Sequence, residues 1–371
     1  MQQVIAAKHI FNGEEFLSDR AILINEGRVE AVVPVSNARK PDINITGLLV
    51  PAFIDLQVNG GGGYMVNGAT TVEGLRRICA AHQALGTVGV LPTLITDTPE
   101  ATAALVHAGI LAAKTQVPGF LGLHLEGPHL DPRRKGVHDA ALIRPMNEDD
   151  LQLLCDAARQ LPVLMVTLAP EAASLEQISM LSAAGAIVSL GHSDCSYYEA
   201  EEAFAAGAVC ATHLFNAMSQ MGHRSPGLVG AVLSGSAAAG LIADGVHVND
   251  AMMKIALAAR DDKIFLVTDC MSFAGTDLTE MELHGRKVIR QDGRLTLEDG
   301  TLAGADLTLP QAVSRLIKVL GIPPARALRM ASAIPAGLIG QDELYGFIRP
   351  GAKAAFWELG SDYQLLQKVG W

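Results

Sequence analysis

The chain has 371 residues, 49% of them apolar and 18% charged, a composition that suits a compact enzyme and excludes disordered and fibrous classes. Its formal net charge is −11 and its densest basic patch is Arg133-Arg134-Lys135, which argues against a nucleic-acid-binding face. Five cysteines (Cys79, Cys155, Cys195, Cys210 and Cys270) form no CxxC and are odd in number, pointing to a reducing compartment rather than a disulfide framework.

The N-terminal residues lack the charged start, apolar stretch and cleavage site of a signal peptide. No uncharged apolar run reaches the ~18 residues of a membrane-spanning helix, so a cytoplasmic protein without membrane contact is expected. Short β-type runs at residues 4–10, 21–24 and 29–33 alternate with turn signals such as Asn12-Gly13 and Glu26-Gly27. The chain's end repeats this pattern, with a turn at Arg349-Pro350-Gly351 and a strand at 354–359. Residues 1–48 and 346–371 are therefore expected to build one small β-sandwich domain from both termini, leaving residues 49–345 as a separate catalytic domain.

Between the termini, eight apolar runs have strand character: residues 53–58, 88–95, 120–125, 163–168, 186–190, 209–214, 240–248 and 264–268. Segments of helical period fall between most of them, at 72–85, 102–113, 149–159, 175–184, 198–206 and 251–259, with two more at 309–320 and 324–339. Continuous apolar strands alternating with helices predict a parallel sheet covered on both faces. Eight such units predict an α/β fold closed as a (β/α)8 TIM-type barrel, which needs about 250 residues. A doubly wound open sheet is the alternative, but no GxGxxG or Walker-type loop follows a strand.

The polar residues that follow the runs carry the chemistry. Run one leads to Gln57 and Asn59, run three to His124 and Glu126, and run five to His192. Run six contains His213, run seven leads to Asp244 and His247, and run eight ends at Asp269. In barrel enzymes the C-terminal strand ends converge over the mouth. Any one of these residues alone reads most simply as a hydrogen-bonded structural group. Together, Glu126, His192 and His213 supply one carboxylate and two imidazoles, and three protein ligands with an open position describe a catalytic metal site. A divalent cation there lowers the pKa of water from 15.7 to about 7. Asp269 is placed to take the proton and pass it on. His124, two residues before Glu126, is expected either one layer down in the barrel or at the mouth. His82 and His107 fall in helical segments, His129, His138 and His223 in loops, and His9 and His284 have no supporting context.

Pro51-Ala52-Phe53-Ile54-Asp55-Leu56-Gln57-Val58-Asn59-Gly60 resembles the first-strand signature of the amidohydrolase superfamily, with Gln57 and Asn59 where that signature carries two metal-binding histidines. HLEGP at 124–128, GHS at 191–193, THLFNAM at 212–218, ADGVHV at 243–248 and Thr268-Asp269 are similar to the N-acetylglucosamine-6-phosphate deacetylase family, in order and spacing from about residue 9 to 351. The resemblance implies hydrolysis of the acetamide of N-acetyl-D-glucosamine 6-phosphate to D-glucosamine 6-phosphate and acetate. It implies Glu126, His192 and His213 as ligands of one divalent metal, with zinc expected and iron, cobalt or manganese suited to the same set. It implies Asp269 as general base and acid and His138 as the group that polarises the carbonyl. Val137, His138, Asn216, Ala217, Arg224 and His247 would contact the sugar phosphate, and Leu302, Ala303 and Gly304 would border it. It further implies a homodimer, in which the phosphate-binding arginine can come from the neighbouring subunit. The segments 269–275 and 302–306 differ from the commonest family forms, which leaves the 4-epimer, N-acetylgalactosamine 6-phosphate, as an alternative substrate. A non-catalytic relative would have lost ligands that are present here, and a dihydroorotase-type enzyme would need the missing histidine pair.

Overall fold

The structure, a computed structural model, describes residues 2–283 and 285–370; Met1, His284 and Trp371 lie outside it. The chain divides into two compact units, one of Met1–Asp55, Leu85–Val88 and Thr308–Trp371, the other of Leu56–Ala84 and Gly89–Leu307.

In the first unit both termini feed one six-stranded sheet. Gln3–Phe11 pairs antiparallel with Phe16–Asn25 and parallel with Ile43–Pro51. Arg28–Pro34 flanks one side, while Phe356–Leu359 and Leu365–Val369 extend the other. The sheet curls over on itself: Val29 N donates to Ala352 O at 2.8 Å and Ala354 N to Gly27 O at 2.9 Å. Ile5, Ile10, Ile22, Leu49, Ile348 and Phe356 fill the space between its faces. This is the sandwich-like domain expected from both termini. The helical segment expected at 324–339 is two helices, Pro324–Ala331 and Ala333–Leu338. Pro335 has no N–H to offer the Ala331 carbonyl, and the Ser332 hydroxyl bonds back to Leu328 O at 2.8 Å, so the ladder breaks between them.

The eight central runs form one parallel sheet, in chain order: Phe53–Val58, Thr87–Ile95, Leu123–Glu126, Leu164–Leu168, Ile187–Leu190, Cys210–Ala211, Ala238–Leu241 and Ile264–Leu266. Seven of them are buried at every residue, and in the other, Ile187–Leu190, Ile187 alone is half-exposed, as a sheet covered on both faces requires. Its ends meet at the C-terminal mouth, where Asp269 N donates to Gln57 O at 3.0 Å and Val58 bridges Cys270. Three of the intervening helices start at capping boxes, completed by Asn147, Ser174 and Ser196. No described helix is long and apolar enough to cross a membrane. All five cysteines are buried, and none is in a disulfide.

Two elements left no sequence signal. Helix Gly227–Ser234 is buried on every side from Gly227 to Leu233, so it shows no amphipathic period. A four-stranded antiparallel sheet, Glu280–Leu283, Arg286–Gln291, Arg294–Leu297 and Leu302–Ala305, follows strand eight. Its core, Leu283, Val288, Leu295 and Leu297, packs with Phe273, Met271 and Ile95, and Val137 lies against it.

Candidate active site

The site is built from strand ends at one level. Glu126 is in register with Ile95 on one side and Thr167 on the other. Gly127 then turns the chain at φ 82°, and a Cβ there would sit 2.4 Å from Thr96 Oγ1. His192, His213 and Asp269 each leave their strands with a left-handed φ, of 48°, 29° and 49°. Such conformations are costly for non-glycine residues and cluster where function holds them. They also explain why strand six stops at Ala211 instead of running to 214 and strand eight at Leu266 instead of 268: the backbone must leave the ladder to aim the side chain.

Glu126 Oε1 lies 3.3 Å from His192 Nε2 and 3.0 Å from His213 Nε2, and the two Nε2 atoms are 3.1 Å apart. All three residues are buried. His192 Nδ1 meets the Arg134 carbonyl at 2.8 Å. A carbonyl can only accept, so Nδ1 carries the proton and the Nε2 lone pair faces the cluster, the arrangement a metal ligand requires. Burial by itself would raise the Glu126 carboxyl, but the bonded His192 and His213 imidazoles outweigh it and hold the group well below the usual carboxylate range. Burial likewise opposes charge on His213, and the hydrogen bond to Glu126 overrides it, raising the imidazole above its ordinary value. Both shifts come from the contacts between the Glu126 carboxylate and the imidazoles beside it. These residues, with ligand atoms within 4.8 Å of one another, fit one divalent cation.

Asp269 is buried beside them. Its Oδ1 accepts from Asn59 Nδ2 at 2.7 Å and from Gln57 Nε2 at 3.2 Å, and Gln57 Nε2 also donates to Glu126 Oε1 at 3.1 Å. Burial first, and then the Glu126 charge, push the Asp269 carboxyl up to about 6. His138 is fully buried, with Nε2 3.9 Å from Glu126 Oε2 and its ring edge-on to His192. His247 Nδ1 pairs with Asp244 Oδ2 at 2.7 Å, which fixes that ring as well.

One cavity of about 250 Å³ takes in Glu126, His192, His213, Asp269, His138 and His247, together with Val137, Asn216, Ala217, Leu302 and Gly304. Ala303 is different: its side chain is buried in the core of the four-stranded sheet. Arg224 is exposed and lines another cavity, with Arg133, Arg134, Tyr197 and Tyr198. His124 sits one layer below the mouth. Burial pushes it down to about 4, and its Nε2 meets Thr167 Oγ1 at 2.7 Å while Nδ1 meets Leu56 O at 3.1 Å. Sequence reasoning missed Ile95, Gly136 and Thr301 on the cavity wall, and Thr96, which meets His138 Nδ1 behind it. Thr96 had a signal, because it directly follows run two as the other site residues follow theirs.

Residues 48–362 match the amidohydrolase family. The chain belongs to that family. Over 332 residues this amidohydrolase is 41% identical to the N-acetylgalactosamine-6-phosphate deacetylase of Shewanella sp. (strain ANA-3), covering 89% of this chain and 84% of that one. It is 34% identical to the N-acetylglucosamine-6-phosphate deacetylase of Haemophilus influenzae, over 97% and 96% of the two chains. The crystal structure of N-acetylglucosamine-6-phosphate deacetylase from Pasteurella multocida superposes on it with a TM-score of 0.95 at 33% identity, over 100% of this chain and 98% of that one. On the first barrel strand of this amidohydrolase, Gln57 bridges the Glu126 and Asp269 carboxylates, and Asn59 donates to Asp269 alone.

Proposed function

We propose that this amidohydrolase hydrolyses the acetamide of N-acetyl-D-glucosamine 6-phosphate, giving D-glucosamine 6-phosphate and acetate. The observation that carries the reading is the meeting of Glu126, His192 and His213 with Asp269 and His138 at one cavity, in a chain whose relatives are named for this chemistry. Glu126 Oε1 and the Nε2 atoms of His192 and His213 would hold one divalent ion, with zinc expected and iron, cobalt and manganese suited to the same donors. When bound, the ion supplies Lewis acidity that makes hydroxide available from water near neutral pH. Asp269 takes the water's proton on Oδ2, since Oδ1 is engaged by Asn59 and Gln57. It then delivers that proton to the departing amine nitrogen. His138 polarises the acetyl carbonyl, and Val137, Asn216, Ala217 and His247 hold the sugar. Leu302, Gly304 and the backbone at Ala303 border it. Five buried cysteines, none in a disulfide, support a reducing, cytoplasmic setting.

A second reading, the 4-epimer N-acetylgalactosamine 6-phosphate as preferred substrate, is favoured by the 41% identity to an enzyme named for it. Acetate release from the two epimers separates the readings: the gluco sugar reacts faster under the first, and the reverse order selects the second.

Gln57 and Asn59 lead us to expect one tightly held metal per chain. Their amides donate to the Glu126 and Asp269 carboxylates and bring no imidazole to hold a second ion. Elemental analysis of active protein returning two tightly held ions per chain would contradict this.

We place Arg224 against the substrate phosphate of a neighbouring copy, since it lines a cavity apart from the Glu126 cluster and a guanidinium fork matches phosphate oxygens. Arg224→Ala should lower kcat/KM for the phosphorylated sugar ~10-fold or more, because hydrogen bonds to charged groups are worth roughly 1.5–3 kcal/mol. The weak activity on unphosphorylated N-acetylglucosamine should barely change. Equal losses on both sugars would move the phosphate role elsewhere.

A further inference from the structure

His138 Nδ1 is held by one residue through two groups. Thr96 N donates to it at 3.2 Å, and Thr96 Oγ1 lies 2.7 Å away. Both residues are about 1% exposed, so water does not substitute for either contact. A backbone N–H can only donate, so Nδ1 is the nitrogen that bears the lone pair, and in the neutral ring Nε2 bears the proton. The hydroxyl then also donates to Nδ1 as the shorter and stronger partner. That leaves Nε2–H as the end of the ring nearer Glu126, 3.9 Å from Oε2. The hydroxyl has room there because residue 127 has no side chain: a Cβ at Gly127 would lie 2.4 Å from Thr96 Oγ1. Thr96 immediately follows the second barrel strand, Thr87–Ile95. The same strand register that sets Glu126 beside Ile95 therefore sets the height of Thr96.

We propose that Thr96 is a positioning residue for hydrolysis: its hydroxyl and amide fix His138 as the Nε2–H tautomer, so that the ring presents a hydrogen-bond donor, not a lone pair, to the scissile carbonyl oxygen. The inference rests on the reading of His138 given above. It assigns no proton transfer to Thr96, which acts through the orientation and tautomer of the ring. An imidazole turned to the other tautomer would aim a lone pair at the developing oxyanion and repel it, so the contact matters more as negative charge grows on that oxygen.

The test is a kinetic cycle on the metal-loaded enzyme with N-acetylglucosamine 6-phosphate. Thr96→Val keeps the side-chain shape and the amide but removes the hydroxyl. We expect kcat to fall on the order of tenfold, the scale of one buried hydrogen bond, with KM within about twofold because the interaction matters in the transition state. Metal content should match the parent. Thr96→Ser, which restores the hydroxyl, should recover most of the loss. In a His138→Gln background the Thr96→Val change should add nothing, because the group it positions is gone. Should the valine variant fail to fold, Thr96→Ala removes the same hydroxyl and carries the same expectation. Parental kcat in the hydroxyl-free variants, a loss confined to KM, or an undiminished further loss in the His138→Gln background would overturn the proposal. If His138→Gln alone kept parental kcat, the role given to His138 would fall first. An impaired His138→Gln beside an unimpaired Thr96→Val would sink the Thr96 proposal alone.

Discussion

Asp269→Asn is expected to keep its metal and lose about 10²–10⁴-fold in kcat on N-acetylglucosamine 6-phosphate, the usual contribution of a positioned general base. The geometry makes this substitution a clean one. Asp269 Oδ1 accepts from Asn59 Nδ2 at 2.7 Å and from Gln57 Nε2 at 3.2 Å, and the asparagine carboxamide can keep its oxygen in that place. Its nitrogen then stands where Oδ2 stood and cannot accept a proton at neutral pH. The carboxyl it replaces is well suited to the task, since burial and then the Glu126 charge push it up to about 6, near the pH at which a base both ionises and holds a proton. The donors of the cluster are untouched, so elemental analysis should return the parental metal content. Near-parental kcat would remove Asp269 from the role of base.

Glu126→Gln is expected to fail differently. Glu126 Oε1 is the one anionic donor of the cluster, at 3.3 Å and 3.0 Å from the two histidine Nε2 atoms. The amide that replaces it keeps the volume and removes the charge that offsets a dication. Even partners one step removed from a metal typically cost 10–100-fold in affinity, so this direct substitution should cost more than about 100-fold. Purified variant should carry well under one ion per chain, with activity lost in proportion. A large excess of metal should restore part of the activity in Glu126→Gln and none in Asp269→Asn. Full metal content in the glutamine variant would place the ion elsewhere.

The contrast between these variants reflects what could be read from sequence. Glu126, His192, His213 and Asp269 were legible because each follows an apolar run, and a parallel barrel brings all such positions to one mouth. The strand ends themselves were misjudged where site residues bend the backbone: His213 at φ 29° and Asp269 at φ 49° follow strands that stop earlier than their apolar runs. Helix Gly227–Ser234 was hidden because a helix buried all round has no polar face to mark its period. The sheet of residues 280–305 was hidden by short strands rich in charged residues, yet its core lies against Val137 and Met271 beside the cavity. Arg224 was legible only through resemblance, since an exposed arginine in a Gly/Pro loop carries no local mark of a ligand.

The measurement that bears most directly on the account is acetate release from N-acetylglucosamine 6-phosphate by the purified protein, taken before chelation, after chelation and after one equivalent of zinc is returned. Hydrolysis should be abolished by chelation and restored by one ion per chain. Unchanged hydrolysis in protein shown by elemental analysis to be metal-free, or no acetate release from the fully loaded protein on either epimer, would contradict it.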